Sequence, residues 1–384
     1  MKQLFYLISF VLIAVGSFSQ VAGTITGKLP QLAYSNGEDR LGSAKMGYID
    51  TAITLDIIDS TVDLYQVKLS RNHSAYIDKK LMKIDSASSK IKTATTESWS
   101  VRGDSLYDYI SISFNKRIAY KSWMETNPTR IVVDLYGVMS NTNWITQLQS
   151  VKEVKNISFE QTEDDVVRVY IDLAHPQHWG YSIGYKGKSL QIKVKHFPIK
   201  PKLENLVIAI DAGHGGTNLG ADGVTSKVLE KNYTILFAQE LQKILQSKKV
   251  KVIMTRETDT TIDNKDRVLF LQQNWPDLFV SFHLNSSGRP TAQGVSTYYK
   301  HVAFRPFSQA LLSHLLTIDG LKEFGNVGNF NFTPIQPTEF NSTLVEVAFL
   351  SSPDDEKIIL DEKFRKNVAK EVYKGMKDFL KSLQ

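Results

Sequence analysis

Four residues in the C-terminal half of this chain bear side chains suited to chemistry: His214, Glu230, His283 and Glu346. His214 lies in Asp211-Ala-Gly-His-Gly-Gly216, directly after the apolar run Val207-Ile-Ala-Ile210. His283 lies in Leu278-Phe-Val-Ser-Phe-His-Leu-Asn285, and Glu346 in Leu344-Val-Glu-Val-Ala-Phe-Leu350. Glu230 opens an amphipathic segment. Two imidazoles and one carboxylate hold a zinc ion with one tetrahedral position left for water, and a second carboxylate supplies a base. His214, Glu230 and His283 are therefore the candidate zinc ligands, and Glu346 the candidate proton acceptor, of a metal-dependent hydrolase. Singly, each has a plainer reading. A histidine near a strand end is usually structural, and an acid at a helix N-terminus is favourable without any ligand. Glu346 is the strongest alone, because a carboxylate between Val345 and Val347 is costly to bury without a partner. The glycines around His214 fit neither the dinucleotide fingerprint nor the Walker pattern.

The elements that must position this set alternate in type from Leu203 to Gln384. Apolar runs at Val207–Ile210, Val250–Thr255, Leu278–His283, Gly294–Tyr299 and Leu344–Phe349 read as strands. Amphipathic periodicity predicts helices over Leu229–Ser247, Asn264–Asn274, Arg305–Ile318 and Phe364–Leu383. Such alternation predicts an α/β domain with a mostly parallel sheet flanked by helices, whose sites gather beyond the strand C-termini. His214 and His283 stand at such ends. Flanking Gly213, Gly215 and Gly216 permit a sharp turn.

The chain has 384 residues, 42% of them hydrophobic, which suffices for two or three domains. It opens Met1-Lys-Gln-Leu-Phe-Tyr-Leu-Ile-Ser-Phe-Val-Leu-Ile-Ala-Val15, followed by small residues at Ser17 and Ser19. One cation before a short apolar core reads as a secretory signal peptide over residues 1–19. A retained anchor is the alternative, but the run falls short of the ~20 residues of a spanning helix. Export is thus expected, with no stable membrane insertion after cleavage. The protein contains no cysteine, so disulfides are excluded and any metal site must use His, Asp and Glu. A formal net charge of +6 suits an anionic wall or membrane surface. No nucleic-acid-binding motif is present, and no nucleic-acid partner is expected.

Residues 21–84 contain period-two runs such as Leu64-Tyr-Gln-Val-Lys-Leu69, and Tyr48, Tyr65 and Tyr76 are expected mainly in core and rim. This stretch resembles a small SH3-like β-barrel. The polar residues 85–97 read as a linker. Residues 98–196 are again strand-rich and carry an echo: Arg130-Ile-Val-Val-Asp-Leu135 and Arg168-Val-Tyr-Ile-Asp-Leu173. These strands, with Asn127-Pro-Thr129 before the first and a closing Leu190-Gln-Ile-Lys-Val194, suggest a β-sandwich and resemble the AMIN domain. That resemblance implies a non-catalytic wall-targeting module. The Arg/Asp pairs are either its functional surface or structural ion pairs. Residues 197–202, with Pro198 and Pro201, make a stiff connection to the catalytic domain, 203–384.

Across that last domain Ile210-Asp-Ala-Gly-His-Gly-Gly216, Leu229-Glu-Lys-Asn232, Met254-Thr-Arg-Glu-Thr-Asp259, Asp266-Arg-Val268, Ser281-Phe-His-Leu-Asn285 and Val345-Glu-Val-Ala-Phe-Leu-Ser-Ser-Pro353 occur in order. The ordered set resembles the zinc-dependent N-acetylmuramoyl-L-alanine amidases of the amidase_3 type. The resemblance implies cleavage of the amide between the lactyl group of N-acetylmuramic acid and L-alanine of the peptidoglycan stem. It assigns His214, Glu230 and His283 to zinc and Glu346 to catalysis. It implies the murein sacculus as partner, with room for a protein activator at the division site. It also implies work in the periplasm, or outside the cell where there is a single membrane. Departures are the absence of the usual proline before Glu346 and the bulk of Phe282 and Leu284, both expected to bear on groove shape. Lys300 to Thr343 is expected to hold one helix and a loop from Phe324 to Phe332, with no helix over the zinc. The rivals are a non-catalytic wall scaffold and another zinc hydrolase of wall peptides.

Overall fold

The computed structural model describes residues 21–37, 43–85, 92–289 and 291–384. The signal-peptide expectation for residues 1–19 lies outside the described residues, as does part of the expected linker.

The first module, Val21 to Ile84, is a seven-stranded sheet with antiparallel ladders throughout. The second stacks two sheets. One runs Tyr120–Thr126, Thr129–Tyr136, Val166–Leu173 and Val154–Glu163 in spatial order. The other is built on Ala94–Gly103, Tyr107–Phe114, Ser189–Lys195 and Tyr181–Lys186. Trp99 of one sheet packs on Phe159 of the other at 4.9 Å between ring centroids. The strand from Ala94 takes the last residues of the stretch expected as linker, since Ala94 and Thr96 are fully buried. A single apolar core joins both modules and receives Ala303 and Phe304 from the third domain.

The Arg/Asp echo resolves as pairing. Thr129–Tyr136 and Val166–Leu173 lie antiparallel with Arg130 opposite Asp172 and Asp134 opposite Arg168. Arg168 grips Asp134 through two nitrogens, at 2.7 and 3.0 Å, and Arg130 Nε stands 2.9 Å from Asp172 Oδ1. Identical offsets in two antiparallel strands put each cation across from an anion, a cross-strand arrangement that stabilises the ladder.

The third domain holds a mixed six-stranded sheet. Its strands are β1 (Val207–Ala212), β2 (Lys251–Met254), β3 (Leu278–Asn285), β4 (Val295–Tyr298), β5 (Glu323–Val327) and β6 (Asn341–Phe349), in spatial order β2-β1-β3-β6-β4-β5. The β4–β6 ladder is antiparallel and the other four are parallel. The helices are α1 (Glu230–Ser247), α2 (Asn264–Asn274), α3 (Arg305–Leu315), α4 (Pro353–Leu360) and α5 (Glu362–Ser382). Strand β5 and helix α4 go beyond the sequence expectation. The first occupies the start of the presumed Phe324–Phe332 loop, where exposed edge residues carry no period-two signal.

Period two decides which residues face the site. Ile208, Ile210 and Ala212 of β1, Leu278, Val280, Phe282 and Leu284 of β3, and Val345 and Val347 of β6 pack under α1, α3 and α5. Ala209, Phe279 and Leu344 belong to a smaller cluster with Leu271 of α2 on the opposite face. His283 and Glu346 share the parity of this second face. Phe282 therefore does not line the cavity: it is buried against Phe237 of α1, which for a phenyl ring contributes about 2 kcal/mol, whereas Leu284, also buried, does reach the cavity wall. The Leu284 backbone N–H also donates to Glu230 at the site.

The middle module is seated directly on this domain. Asp277 accepts from Trp179 Nε1 at 2.9 Å and from the Val207 N–H at 2.8 Å, and pairs with Lys195 at 2.7 Å. The Tyr181 N–H donates to Thr338 O at 2.9 Å, and Gln177 donates to Ala303 O at 2.7 Å. Gly180, at φ +111°, presses so closely on the Glu339 carbonyl that a Cβ would lie 2.0 Å from its oxygen. Only glycine fits that seam.

Candidate metal centre

Chain order brings the four residues together. From β1 the chain crosses through α1 to β2 on one side, then through α2 to β3 on the other, which opens a crevice at the carboxyl ends of β1 and β3. His214 follows β1 by two residues. In the β3–β6 ladder His283 is register partner to Glu346. Glu230, in the first turn of α1, reaches over the sheet edge.

Glu230 Oε1 lies 3.0 Å from His214 Nε2 and 3.0 Å from His283 Nδ1. One ligand atom from each of the three lies within 4.8 Å of the others, the one such cluster among the described residues. The Leu284 N–H donates to Glu230 Oε1 at 2.9 Å, and the Ala221 N–H to Oε2 at 2.8 Å. Burial pushes Glu230 up, but the hydrogen bonds and charges of His214 and His283 outweigh it and hold its carboxyl well below the usual range. Glu346 behaves oppositely. Burial, reinforced by the charge of Glu230, pushes its carboxyl well up, and its Oε2 is buried without a hydrogen-bond partner. Both carboxylates face one cavity of about 360 Å³, walled also by Asn218, Asn264, Asn331 and Phe332. The Phe332 ring lies parallel to His283, 7° between planes, with centroids 6.4 Å apart.

A second shell of groups fixes the loop that carries His214. His214 Nδ1 lies 2.8 Å from Asn218 Oδ1 and its Nε2 faces Glu230 Oε1, so both ring nitrogens are oriented by a neighbour. His214 adopts φ +63°, a left-handed conformation costing roughly 1 kcal/mol outside glycine. Two buried arginines hold it there. Arg256 donates to the carbonyls of Ala212 (2.9 Å), Gly213 (3.0 Å) and Lys231 (2.8 Å). Arg267 donates to the Ala212 carbonyl (3.0 Å) and the His214 carbonyl, and pairs with Asp211. Asp211, fully buried, also accepts from Ser281 and Thr255. A Cβ at Gly213 would lie 2.3 Å from the His283 ring, so glycine there lets the two imidazoles approach to 4.8 Å between centroids.

The four sequence candidates are thus brought to one cavity. Reasoning from spacing had given no role to Asn218, Asp211, Arg256, Arg267 or Phe332. Asp211 bears the signal that singled out Glu346, a carboxylate closing an apolar strand. Asn218 and Phe332 come from loops with no periodicity to read.

Donor chemistry fits a divalent cation. Two imidazole nitrogens and a carboxylate oxygen converge, a second carboxylate stands beside them, and both nearby guanidinium groups are engaged elsewhere. Among the described residues no helix is long and apolar enough to cross a membrane.

The family model described as N-acetylmuramoyl-L-alanine amidase matches residues 208–378, and that of the AMIN domain matches residues 99–194. The probable cell wall amidase LytH of Staphylococcus epidermidis is 32% identical over 181 residues, covering 47% of this chain and 60% of that protein. The chain thus spans about 60% of the length of the curated relatives it matches. The solved catalytic domain of CwlV, an N-acetylmuramoyl-L-alanine amidase from Bacillus (Paenibacillus) polymyxa var. colistinus, is 33% identical, covering 46% of this chain and 99% of that one at a TM-score of 0.44. An N-acetylmuramoyl-L-alanine amidase from Clostridium difficile 630 is 30% identical, covering 46% and 98% at a TM-score of 0.44. On the family-model matches, the chain carries a domain of the N-acetylmuramoyl-L-alanine amidase family over residues 208–378, with an AMIN domain over residues 99–194 ahead of it.

Proposed function

We propose that this protein is a zinc-dependent peptidoglycan amidase that hydrolyses the bond between the lactyl carbonyl of N-acetylmuramic acid and L-alanine of the stem peptide. The observation that carries this reading is the convergence of metal-ligating donors at one cavity: Glu230 gripped by two imidazoles, and Glu346 beside them with an unpartnered oxygen. His214, Glu230 and His283 would hold the metal. Zinc at such a site polarises a carbonyl and acidifies a bound water.

The chain's own residues do the rest. With the metal bound, Asn218 Oδ1 would accept from His214 Nδ1–H, 2.8 Å away, and leave Nε2 free to ligate. Glu346 takes the proton of the attacking water as oxygen adds to the lactyl carbonyl carbon. It returns that proton to the L-alanine nitrogen as the C–N bond breaks, giving a free lactyl carboxylate and a free amine. Burial, which pushes the Glu346 carboxyl up, favours its taking up a proton, and its unpartnered oxygen is open to receive it. Phe332, parallel to His283, walls the cavity on one side.

The AMIN domain supports action outside the cytoplasm on the wall, with the signal peptide as the route and the periplasm as the compartment in a two-membrane cell. Targeting to the wall and an activator at the division site belong to the same reading, as does the SH3-like assignment of the first module. The deciding experiment digests purified sacculi and identifies the products by mass spectrometry. Intact stem peptides with an L-alanine amino terminus are expected. Products cut within the stem would make the protein another wall-peptide hydrolase, and no cleavage together with no stoichiometric zinc would make it a scaffold.

A further inference from the structure

Among the described residues none from the first β module lines the metal cavity, yet that module reaches one of the cavity's walls through two side-chain amides. The wall is the loop that follows β5. It supplies Asn331, Phe332, Thr333 and Pro334, as many consecutive residues as the end of β3. Between Val327 and Thr333 the loop belongs to no helix or strand, and Asn329 turns it through a left-handed φ of +55°. The Phe330 N–H donates to the Tyr299 carbonyl at 3.2 Å. With no ladder beyond that, side chains must supply the remaining restraint.

Lys300 and Gln336 supply it. Lys300 Nζ donates to Asn329 Oδ1 at 2.9 Å and to Asn331 Oδ1 at 2.8 Å, which clamps the loop on both sides of Phe330. A charged donor makes these the stronger kind of hydrogen bond. Gln336 Nε2 donates to the Asn331 carbonyl at 2.8 Å, and its Oε1 accepts from Gln31 Nε2 of the first module. Turning the Gln336 amide over would set oxygen against oxygen at Asn331, so Gln31 and Asn331 fix it between them. These contacts leave Phe332 one place to stand. Its ring packs edge-on to buried Tyr298 at 5.2 Å between centroids and against Phe330 at 4.5 Å, parallel to His283.

We propose that Lys300 and Gln336 are positioning residues that hold Phe332 against the substrate, and that Gln31 makes the first β module part of the same device. The proposal rests on the amidase reading above. The scissile amide has a methyl on either side, one from the lactyl group and one from L-alanine. Phe332 is the one phenyl ring in the cavity wall among the described residues, and it offers a surface on which such a methyl is buried. A methyl stands apart from the bonds that change, so its burial stabilises bound substrate and transition state alike. The loop should therefore act on KM more than on kcat. Lys300, Gln336 and Gln31 act only through Phe332, and without the ring their contacts have nothing to place.

The test is a double-mutant cycle on the full zinc-loaded chain, with a soluble N-acetylmuramoyl-L-alanyl peptide as substrate. Phe332→Ala is expected to raise KM roughly fourfold to tenfold, with kcat within about twofold of wild type. Lys300→Ala should raise KM about threefold and Gln31→Ala about twofold. In the Phe332→Ala background neither should add to the loss. Losses that multiply with that of Phe332→Ala overturn the proposal, as does an unchanged KM in Lys300→Ala and Gln31→Ala. A joint fall of kcat and zinc content in Lys300→Ala also overturns it, since the residue would then serve the metal site. Hydrogen exchange over residues 328–332 reads the clamp without substrate. It should quicken in both variants while residues 278–285 exchange as in wild type. Unchanged exchange over residues 328–332 overturns the clamp whatever the kinetics. Quickened exchange in a protein whose wild type releases no stem peptide keeps the clamp and refutes the amidase reading instead. Should Lys300→Ala fail to fold, Gln31→Ala carries the same cycle from outside the catalytic domain.

Discussion

Two sets of charged residues stand out in this chain, and the fold treats them in opposite ways. In the middle module, Arg130, Asp134, Arg168 and Asp172 face one another across a single antiparallel ladder, each charge answered by its neighbour. In the catalytic domain, Glu230 and Glu346 converge on a cavity with two imidazoles and no guanidinium to answer them. Both sets look equally chemical in sequence. What separates them is where the compensating charge lies: inside the chain for the ladder, outside it for the cavity. A set of charges that closes on itself is architecture, and one that remains open calls for a ligand.

The widest gap between the two sets should appear in turnover. Glu346→Ala is expected to lower kcat on sacculi by roughly 10³-fold while zinc content, measured by elemental analysis, stays at wild type. A wild-type rate in that variant would remove Glu346 from the open set. The next effect concerns a third way of holding a carboxylate. Glu339, at the seam between domains, accepts from the Gln272 amide at 2.8 Å, but burial outweighs its hydrogen bonds and pushes its pKa up from 4.5 to about 7. The folded value lies above the unfolded one, so its contribution to stability is full below pH 4.5 and is lost as pH rises through 7. Glu339→Gln should therefore flatten the fall in stability between pH 5 and pH 8, by about 3 kcal/mol at the alkaline end, read by denaturant unfolding. A parallel fall in the variant would show that Glu339 is ionised when folded.

Metal linkage comes third. Adding zinc to chelator-treated protein at a hundredfold excess over Kd should raise stability by about 2.7 kcal/mol, and His214→Ala/His283→Ala should abolish that gain. Zinc-dependent stabilisation that survives the double variant would move the metal elsewhere. The ladder should matter least. Arg168→Ala is expected to cost about 1 kcal/mol or less, since its side chain is a third exposed, with no change in kcat or zinc content. A loss of activity there would erase the distinction between the two sets.

Much of this was legible in advance because the relevant signals are local. A histidine after a strand and a glycine, an acid opening a helix, and a carboxylate inside an apolar run each depend on near neighbours, and His214, Glu230, His283 and Glu346 do meet at one cavity. Illegible parts depend on facing and on distance in sequence. Phe282 has the same composition whether it turns to groove or core, and only the parity of β3 against α1 decides for the core. Strand β5 is an exposed edge with no alternation to read. Helix α4 had a start signal, since Ser352 accepts from the Asp355 N–H ahead of Pro353, but eight residues are too few for a period to emerge. Arg256 and Arg267 brace the His214 loop from positions over forty residues downstream.

The seam at Gly180 bears on how such an enzyme would travel. With no room for a side chain between Gly180 and the Glu339 carbonyl, and with Trp179 and Lys195 anchored on Asp277, the middle module is bolted to the catalytic domain rather than tethered. Effective concentration then takes one value instead of a distribution set by a linker. On the function proposed above, a wall contact made by that module would fix the height and heading of the cavity above the sacculus. Moving to the next bond requires the whole molecule to step.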